Sequence, residues 1–158
     1  MSYTIDILFI DSNVFVKFFV EGENCFERVH RKYLLATSCN VLEEVAYILL
    51  KFKVIDETGR IKHYEILNFL QSNPESIKAF AKEIEKDIEN IIENYKIILL
   101  YPHFEGFMEM MKKYGLLPND ALIAATCKYY SIKKIATFDD DFRRVDFLEV
   151  IKLNDNRK

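Results

Sequence analysis

The sequence predicts an α/β fold in which helices cover both faces of a mainly parallel sheet of about five strands. Three observations carry this. Short apolar runs alternate with longer stretches of helical periodicity along the chain, and strands that alternate with helices pair in parallel because each helix serves as a crossover. Two of the runs, residues 5–10 (IDILFI) and 96–101 (KIILLY), are nearly continuous in apolar residues, the pattern of strands covered on both faces. Half of the 158 residues are apolar, and thirteen Phe and nine Tyr stand against four Gly and three Pro. Such a chain can bury a sizeable core and does not have a disordered composition.

Taken in order, the strands are expected at 5–10, 33–37 (YLLAT), 96–101, 133–138 (KKIATF) and 147–152 (FLEVIK). Helical patterns fall between them. The first spans 13–31 with a break near Gly22, and others cover 41–52, 61–71, 75–94, 103–114 and 118–130. The length suits one domain, residues 1–158. Within it, about 50–95 reads as a helical elaboration, because two helices follow one another there with no strand between them. In 77–94 the residues Ile77, Phe80, Ile84, Ile88, Ile91 and Ile92 share one face, with acids and lysines on the other. That is the pattern of a solvated amphipathic helix, with a partner-binding or dimer face as the alternative.

A net charge of −3 weakens any case for broad electrostatic binding to nucleic acid. It leaves room for a local basic rim, or for metal ions that offset acids. Cys25, Cys39 and Cys127 are too few, and odd in number, for a disulfide framework. A reducing cytoplasm is the expected location. The apolar N-terminus is interrupted by Asp6, Asp11 and Lys17, so neither a signal peptide nor a membrane span is expected. His30, His63 and His103 lack zinc-ligand spacing.

Ligands of an open parallel sheet bind beyond the carboxyl ends of its strands. Asp11 ends the first strand, and Asp139 follows the fourth within "ATFDDDF". Glu44 and Asp120 lie near the starts of helices that follow a strand or loop. Each acid alone has a structural explanation. Asp11 or Ser12 can cap the helix from Asn13. Asp120 sits in a first helical turn, where the dipole favours a carboxylate by about 0.3–1 kcal/mol. Asp139, Asp140 and Asp141 read as a solvated turn. Together they are harder to explain, since four elements would bring acids to one sheet edge. Carboxylates so gathered repel one another, and a shared divalent cation removes the repulsion. Hard oxygen ligands favour Mg²⁺ or Mn²⁺. Glu43 and Glu44 must be separated. With Asn40 as N-cap, Glu43 falls at the third helical position of a capping-box variant, which leaves Glu44, at the edge of the buried face, as the site candidate.

The blocks "FIDSNVFV" around Asp11, "LEEVAYIL" around Glu44 and "LLPNDALIAATCKYYSIKKIATFDDDF" with Asp120 and Asp139, followed by "LEVIKL", resemble the PIN-domain proteins, most of all the VapC-type toxins and their archaeal relatives. They come in the family's order and cover nearly the whole chain. The resemblance implies a three-layer α/β/α sandwich and a metal-dependent ribonuclease using Mg²⁺ or Mn²⁺. Carried over by position, Asp11, Glu44, Asp120 and Asp139 form the acidic pocket, with Asp11 and Asp120 as principal ligands and Thr137 and Asp141 in accessory positions. It also implies an RNA substrate, an antitoxin partner and a homodimer, or instead a role in RNA processing. Arg143 and Arg144 follow the acidic run and are candidates for phosphate contact, with solvated surface charge as the alternative.

Rival readings leave marks of their own. A phosphatase with a nucleophilic Asp after its first strand needs a second Asp two residues on, where this chain has Asn13. A receiver domain needs an Asp after its middle strand, and "IILLYPHF" has none. A catalytically silent PIN-like module that holds RNA or protein is the non-enzymatic alternative. Metal binding at the acids, followed by cleavage, discriminates it.

Overall fold

The first apolar run forms the central strand of the sheet. In the computed structural model, which describes residues 4–153, β1 (Ile7–Ile10) lies between β2 (Leu34–Ser38) and β4 (Lys134–Ala136) and is parallel to both. Leu8, Phe9 and Ile10 are completely buried. Side chains alternate between the two faces of a strand, so a run buried at every position is covered on both. Burial of each such side chain stabilises the fold by roughly 1.5–3 kcal/mol. Adding β3 (Ile98–Leu100) and β5 (Glu149–Ile151) gives five parallel strands in the order β3-β2-β1-β4-β5.

The other apolar run does not have two covered faces, contrary to expectation. It forms β3 at one edge of the sheet, where Ile98 is 38% and Leu99 53% exposed. Its apolar character reflects strand propensity, which does not distinguish an edge from a centre.

Between β1 and β2 the helical stretch is divided, with the expected break at Gly22. The helix α1 (Ser12–Val16) runs into a π-helical turn over Lys17–Glu21, and Gly22, at φ +69°, ends it in the left-handed conformation that glycine adopts without strain. A short α2 (Phe26–Val29) follows. After β2, α3 covers Cys39–Thr58, longer at both ends than 41–52. Ser38 occupies its cap position and Asn40 is the second helical residue. The capping role expected of Asn40 and Glu43 is therefore not found. Asn40 reaches across to Asn119 instead, and Glu43 is exposed.

The stretch around 50–95 holds the end of α3 and the pair α4 (His63–Ser72) and α5 (Pro74–Tyr95). Val54, Ile66 and Leu70 form a small cluster that ties the pair to α3. On α5, Ile84 and Ile91 are buried in the main core, and Phe80, Ile88 and Ile92 pack against it. The amphipathic face is thus spent within the fold. The helices α6 (Phe107–Tyr114) and α7 (Pro118–Tyr129) pack on one another and lead back to β4.

From β1 the chain steps to β2 and β3 in one direction, then returns past β1 to β4 and β5. Right-handed crossovers in opposite directions place their helices on opposite faces. The result is a three-layer α/β/α sandwich, with α1–α5 on one face and α6 and α7 on the other. The direction reverses between β1 and β4, and the switch point opens at their carboxyl ends, where open α/β sheets bind ligands.

Candidate active site

Asp11 follows β1 at that switch point. Its backbone N–H donates to the Ala136 carbonyl at 3.0 Å, which continues the ladder to β4 by one residue. Its extended backbone (φ −80°, ψ 162°) makes it the N-cap of α1. The backbone N–H of Ser12 donates to Oδ1 at 2.7 Å, and Thr137 Oγ1 donates to Oδ2 at 2.7 Å. Only 5% of Asp11 is exposed. Burial pushes its carboxyl up to about 6, against the two hydrogen bonds and with the charges of Glu44 and Asp139. Asp11 is therefore both a helix cap and a member of the acid cluster.

Thr137 is the buried hub of this corner. Its hydroxyl oxygen accepts from Asn13 Nδ2 at 3.1 Å and from the Asp139 backbone N–H at 3.0 Å. Asn13 Oδ1 accepts from the Phe138 N–H at 3.2 Å. The turn after β4 is thus fastened to α1, and Asp139 is carried with it. Asp139 Oδ1 accepts from the Asp141 N–H at 3.0 Å, which starts the 3₁₀ turn Asp141–Arg144.

Asp120 enters from the other face as the third residue of α7, after Pro118 at a position that favours helix initiation. Burial is the largest cause that pushes its carboxyl up to about 7, followed by the charges of Asp11, Asp139, Glu44 and Asp141. Oxygens of Asp120, Asp139 and Asp141 lie within 4.8 Å of one another. Glu44 comes from α3, and its Oε2 accepts from Asn119 Nδ2 at 2.9 Å.

These five acids line one hollow of about 390 Å³, with Val16, Ile48 and Leu117 as its apolar wall. Asp141, an accessory position in the sequence reading, belongs to the tightest trio. Both oxygens of Asp11 already accept hydrogen bonds. Arg143 and Arg144 do not line the hollow. Arg144 bonds Asp141 and donates to the Gly115 carbonyl at 2.9 Å, tying the 3₁₀ turn to the end of α6. Arg143 pairs with Asp140 at 2.8 Å and, with Lys152, borders a second hollow of about 380 Å³ that shares Asp139 with the first.

The donor set suits a hard divalent cation: carboxylate oxygens come from several elements, and burial first, then their mutual charge, raises the carboxyls of Asp11 and Asp120. No cysteine or histidine among the described residues lines the hollow. Three polar residues that support the acids are not assigned to the site by the sequence: Asn13 and Asn40 are read there as a helix start and a cap, and Asn119 is not singled out. Their signal was adjacency, because Asn13 lies two residues after Asp11 and Asn119 directly before Asp120.

No helix among the described residues is long and apolar enough to cross a membrane. The family model of the PIN domain matches residues 8–148. Two curated relatives, both from Methanocaldococcus jannaschii, align over nearly all of their length. Ribonuclease VapC2 is 35% identical, with 92% of this chain and 93% of the relative covered. Ribonuclease VapC6 is 34% identical, with 92% and 96% covered. Among solved structures, a toxin–antitoxin complex from Klebsiella pneumoniae contains a chain of the same fold, with a TM-score of 0.58 at 14% identity, covering 93% of this chain and 98% of that one. The switch-point acids, the sheet order and the match over most of the sequence agree, and the chain belongs to the PIN-domain family.

Proposed function

We propose that this protein is a metal-dependent ribonuclease that hydrolyses RNA phosphodiester bonds, and that it is the toxin of a toxin–antitoxin pair. The observation that carries the reading is the convergence of Asp11, Glu44, Asp120, Asp139 and Asp141 from both faces of the sheet on one hollow at its switch point. The ribonuclease names of the two archaeal relatives support the reaction. The antitoxin partner belongs to the same proposal, and the likeness in fold to a chain of a toxin–antitoxin complex is in keeping with it.

Asp120, Asp139 and Asp141 offer the closest oxygens for Mg²⁺ or Mn²⁺, with Asp11 and Glu44 completing the set. Such ions, when bound, polarise the scissile phosphate and make water a better nucleophile. The chain's own part is positioning. Thr137 and the Ser12 N–H hold Asp11 in a single orientation, and Asn13 keeps the Asp139 turn against it. Attack by water leaves a 5′-phosphate and a 3′-hydroxyl. Arg143, beside Lys152 in the adjoining hollow, is placed to meet a neighbouring phosphate. Arg144 is the weaker candidate, since its donors are engaged with Asp141 and Gly115.

The test is cleavage of an end-labelled single-stranded RNA pool with Mn²⁺, with Mg²⁺ and with chelator. The wild type is expected to cut only with metal, and Asp120→Asn is expected to be inactive yet folded. Wild-type cleavage by Asp120→Asn would remove Asp120 from the chemistry.

A further inference from the structure

Asn119 lies at the second position of α7, between Pro118 and Asp120. Its side chain continues a directed polar chain that begins at the end of β2. The buried hydroxyl of Ser38 donates to Asn40 Oδ1. Asn40 Nδ2 donates to Asn119 Oδ1 at 2.8 Å, and Asn119 Nδ2 donates to Glu44 Oε2 at 2.9 Å. Every link runs the same way, with each amide oxygen facing the donor before it and each amide nitrogen facing the acceptor after it. The far end is one oxygen of a carboxylate in the acid hollow. The other oxygen, Oε1, accepts no hydrogen bond among the described residues.

We infer that Asn119 is a positioning residue: it holds Glu44 by one oxygen so that the other is offered to a cation in the acid hollow. The inference rests on the proposed function for the identity of the hollow and extends it to a residue that carries no charge. Three features support it. A glutamate on a helix surface has several rotamers, and pinning one oxygen removes most of that freedom. Asn119 is adjacent to Asp120, so whatever sets Glu44 sets it relative to another acid of the hollow. The chain also joins α3 to α7, which lead from different strands, so the relative placement of their two acids depends on contacts of this kind.

A purely structural clamp between α3 and α7 would use the same contacts, and a double-mutant cycle separates the two roles. Mn²⁺ affinity is measured by calorimetry for the wild type, Asn119→Ala, Glu44→Ala and the double variant, with thermal melting as the check of folding. The expected result is a loss of about tenfold in Asn119→Ala, the lower end for removal of a partner behind a ligand. No further loss is expected when Asn119→Ala is added to Glu44→Ala. With RNA, Asn119→Ala should lower kcat and leave KM in place. Should Asn119→Ala not fold, Asn40→Ala removes the restraint on the Asn119 amide without touching the hollow and carries the same cycle. Equal losses in both backgrounds, or no loss in the first, would overturn the inference and leave the nuclease reading intact. Wild-type Mn²⁺ binding by Glu44→Ala would remove Glu44 as a ligand, and the inference with it. Failure of the wild type to bind Mn²⁺ would defeat the broader reading first.

Discussion

Asp120→Asn should stabilise the metal-free protein at neutral pH, and by an amount that depends on pH in a defined direction. The Asp120 carboxyl is raised from 3.8 to about 7 by burial and by four neighbouring acids. A raised folded-state value means that the native state binds the proton more tightly than the unfolded chain does. Between pH 3.8 and 7 the native state therefore carries more protons, and stability falls as pH rises through that window. Below it both states are protonated and the penalty vanishes; above it the penalty is complete. At about 1.4 kcal/mol per pKa unit, the rise bounds the penalty near 4 kcal/mol. Partial exposure and the coupling of the five acids reduce this to about 2 kcal/mol. Asparagine keeps the shape and cannot ionise. Asp120 also accepts no hydrogen bond among the described residues, so the replacement orphans no donor.

The assay is urea unfolding of both proteins in chelator at pH 4 and at pH 7.5. The variant should be more stable than the wild type by about 2 kcal/mol at pH 7.5 and nearly equal to it at pH 4. Added Mn²⁺ should raise wild-type stability by mass action and do much less for the variant. A variant less stable than the wild type at pH 7.5, or equally shifted at both pH values, would refute the claim that burial and neighbouring charge penalise ionised Asp120 in this hollow.

Mn²⁺ affinity itself should weaken as pH falls, because protons and metal compete for the same oxygens. The fall should begin near pH 7 for Asp120 and steepen near pH 6 for Asp11, and calorimetry that finds the same affinity at pH 5.5 and 7.5 would contradict it. Thr137→Val removes the donor to Asp11 Oδ2 and frees the Asp139 turn; a loss of about 10–100-fold in Mn²⁺ affinity is expected, and unchanged binding would show that Asp11 needs no such support. Reversing charge in the adjoining hollow with Arg143→Glu and Lys152→Glu should weaken binding of a short single-stranded RNA and flatten its salt dependence by about 0.7 in log–log slope per lost phosphate contact. Lys82→Glu with Lys86→Glu on the exposed face of α5 makes the same change in net charge and should leave the slope alone; equal effects would assign the result to net charge.

Which parts of this architecture were legible in the sequence follows from the range of the forces involved. The β1 run reads as a central strand because burial on both faces leaves every position apolar, and a one-dimensional pattern records that directly. The same pattern misplaced β3, since Ile98 and Leu99 resemble central residues and yet face outward at an edge; edge or centre is decided by which strands pair, not by the strand itself. The four acids stood out because each follows a strand or opens a helix, and parallel strands deliver such positions to one side. Of their supports, Thr137 stood out through the family resemblance, and the asparagines did not. Asn40 resembled a helix cap, the commoner local use of asparagine, but Asn119 lies 79 residues away in sequence and 2.8 Å away in space, and a tertiary partner outbid the local one. Thr137 and Asp11 are separated by 126 positions, and the resemblance, not the local pattern, pointed to Thr137. Charges that gather can be anticipated from topology alone, because strand order brings their elements together. The asparagine hydrogen bonds around Glu44 and the Asp139 turn depend on side-chain geometry within a few ångströms, and they are the part of this corner that only the folded chain specifies.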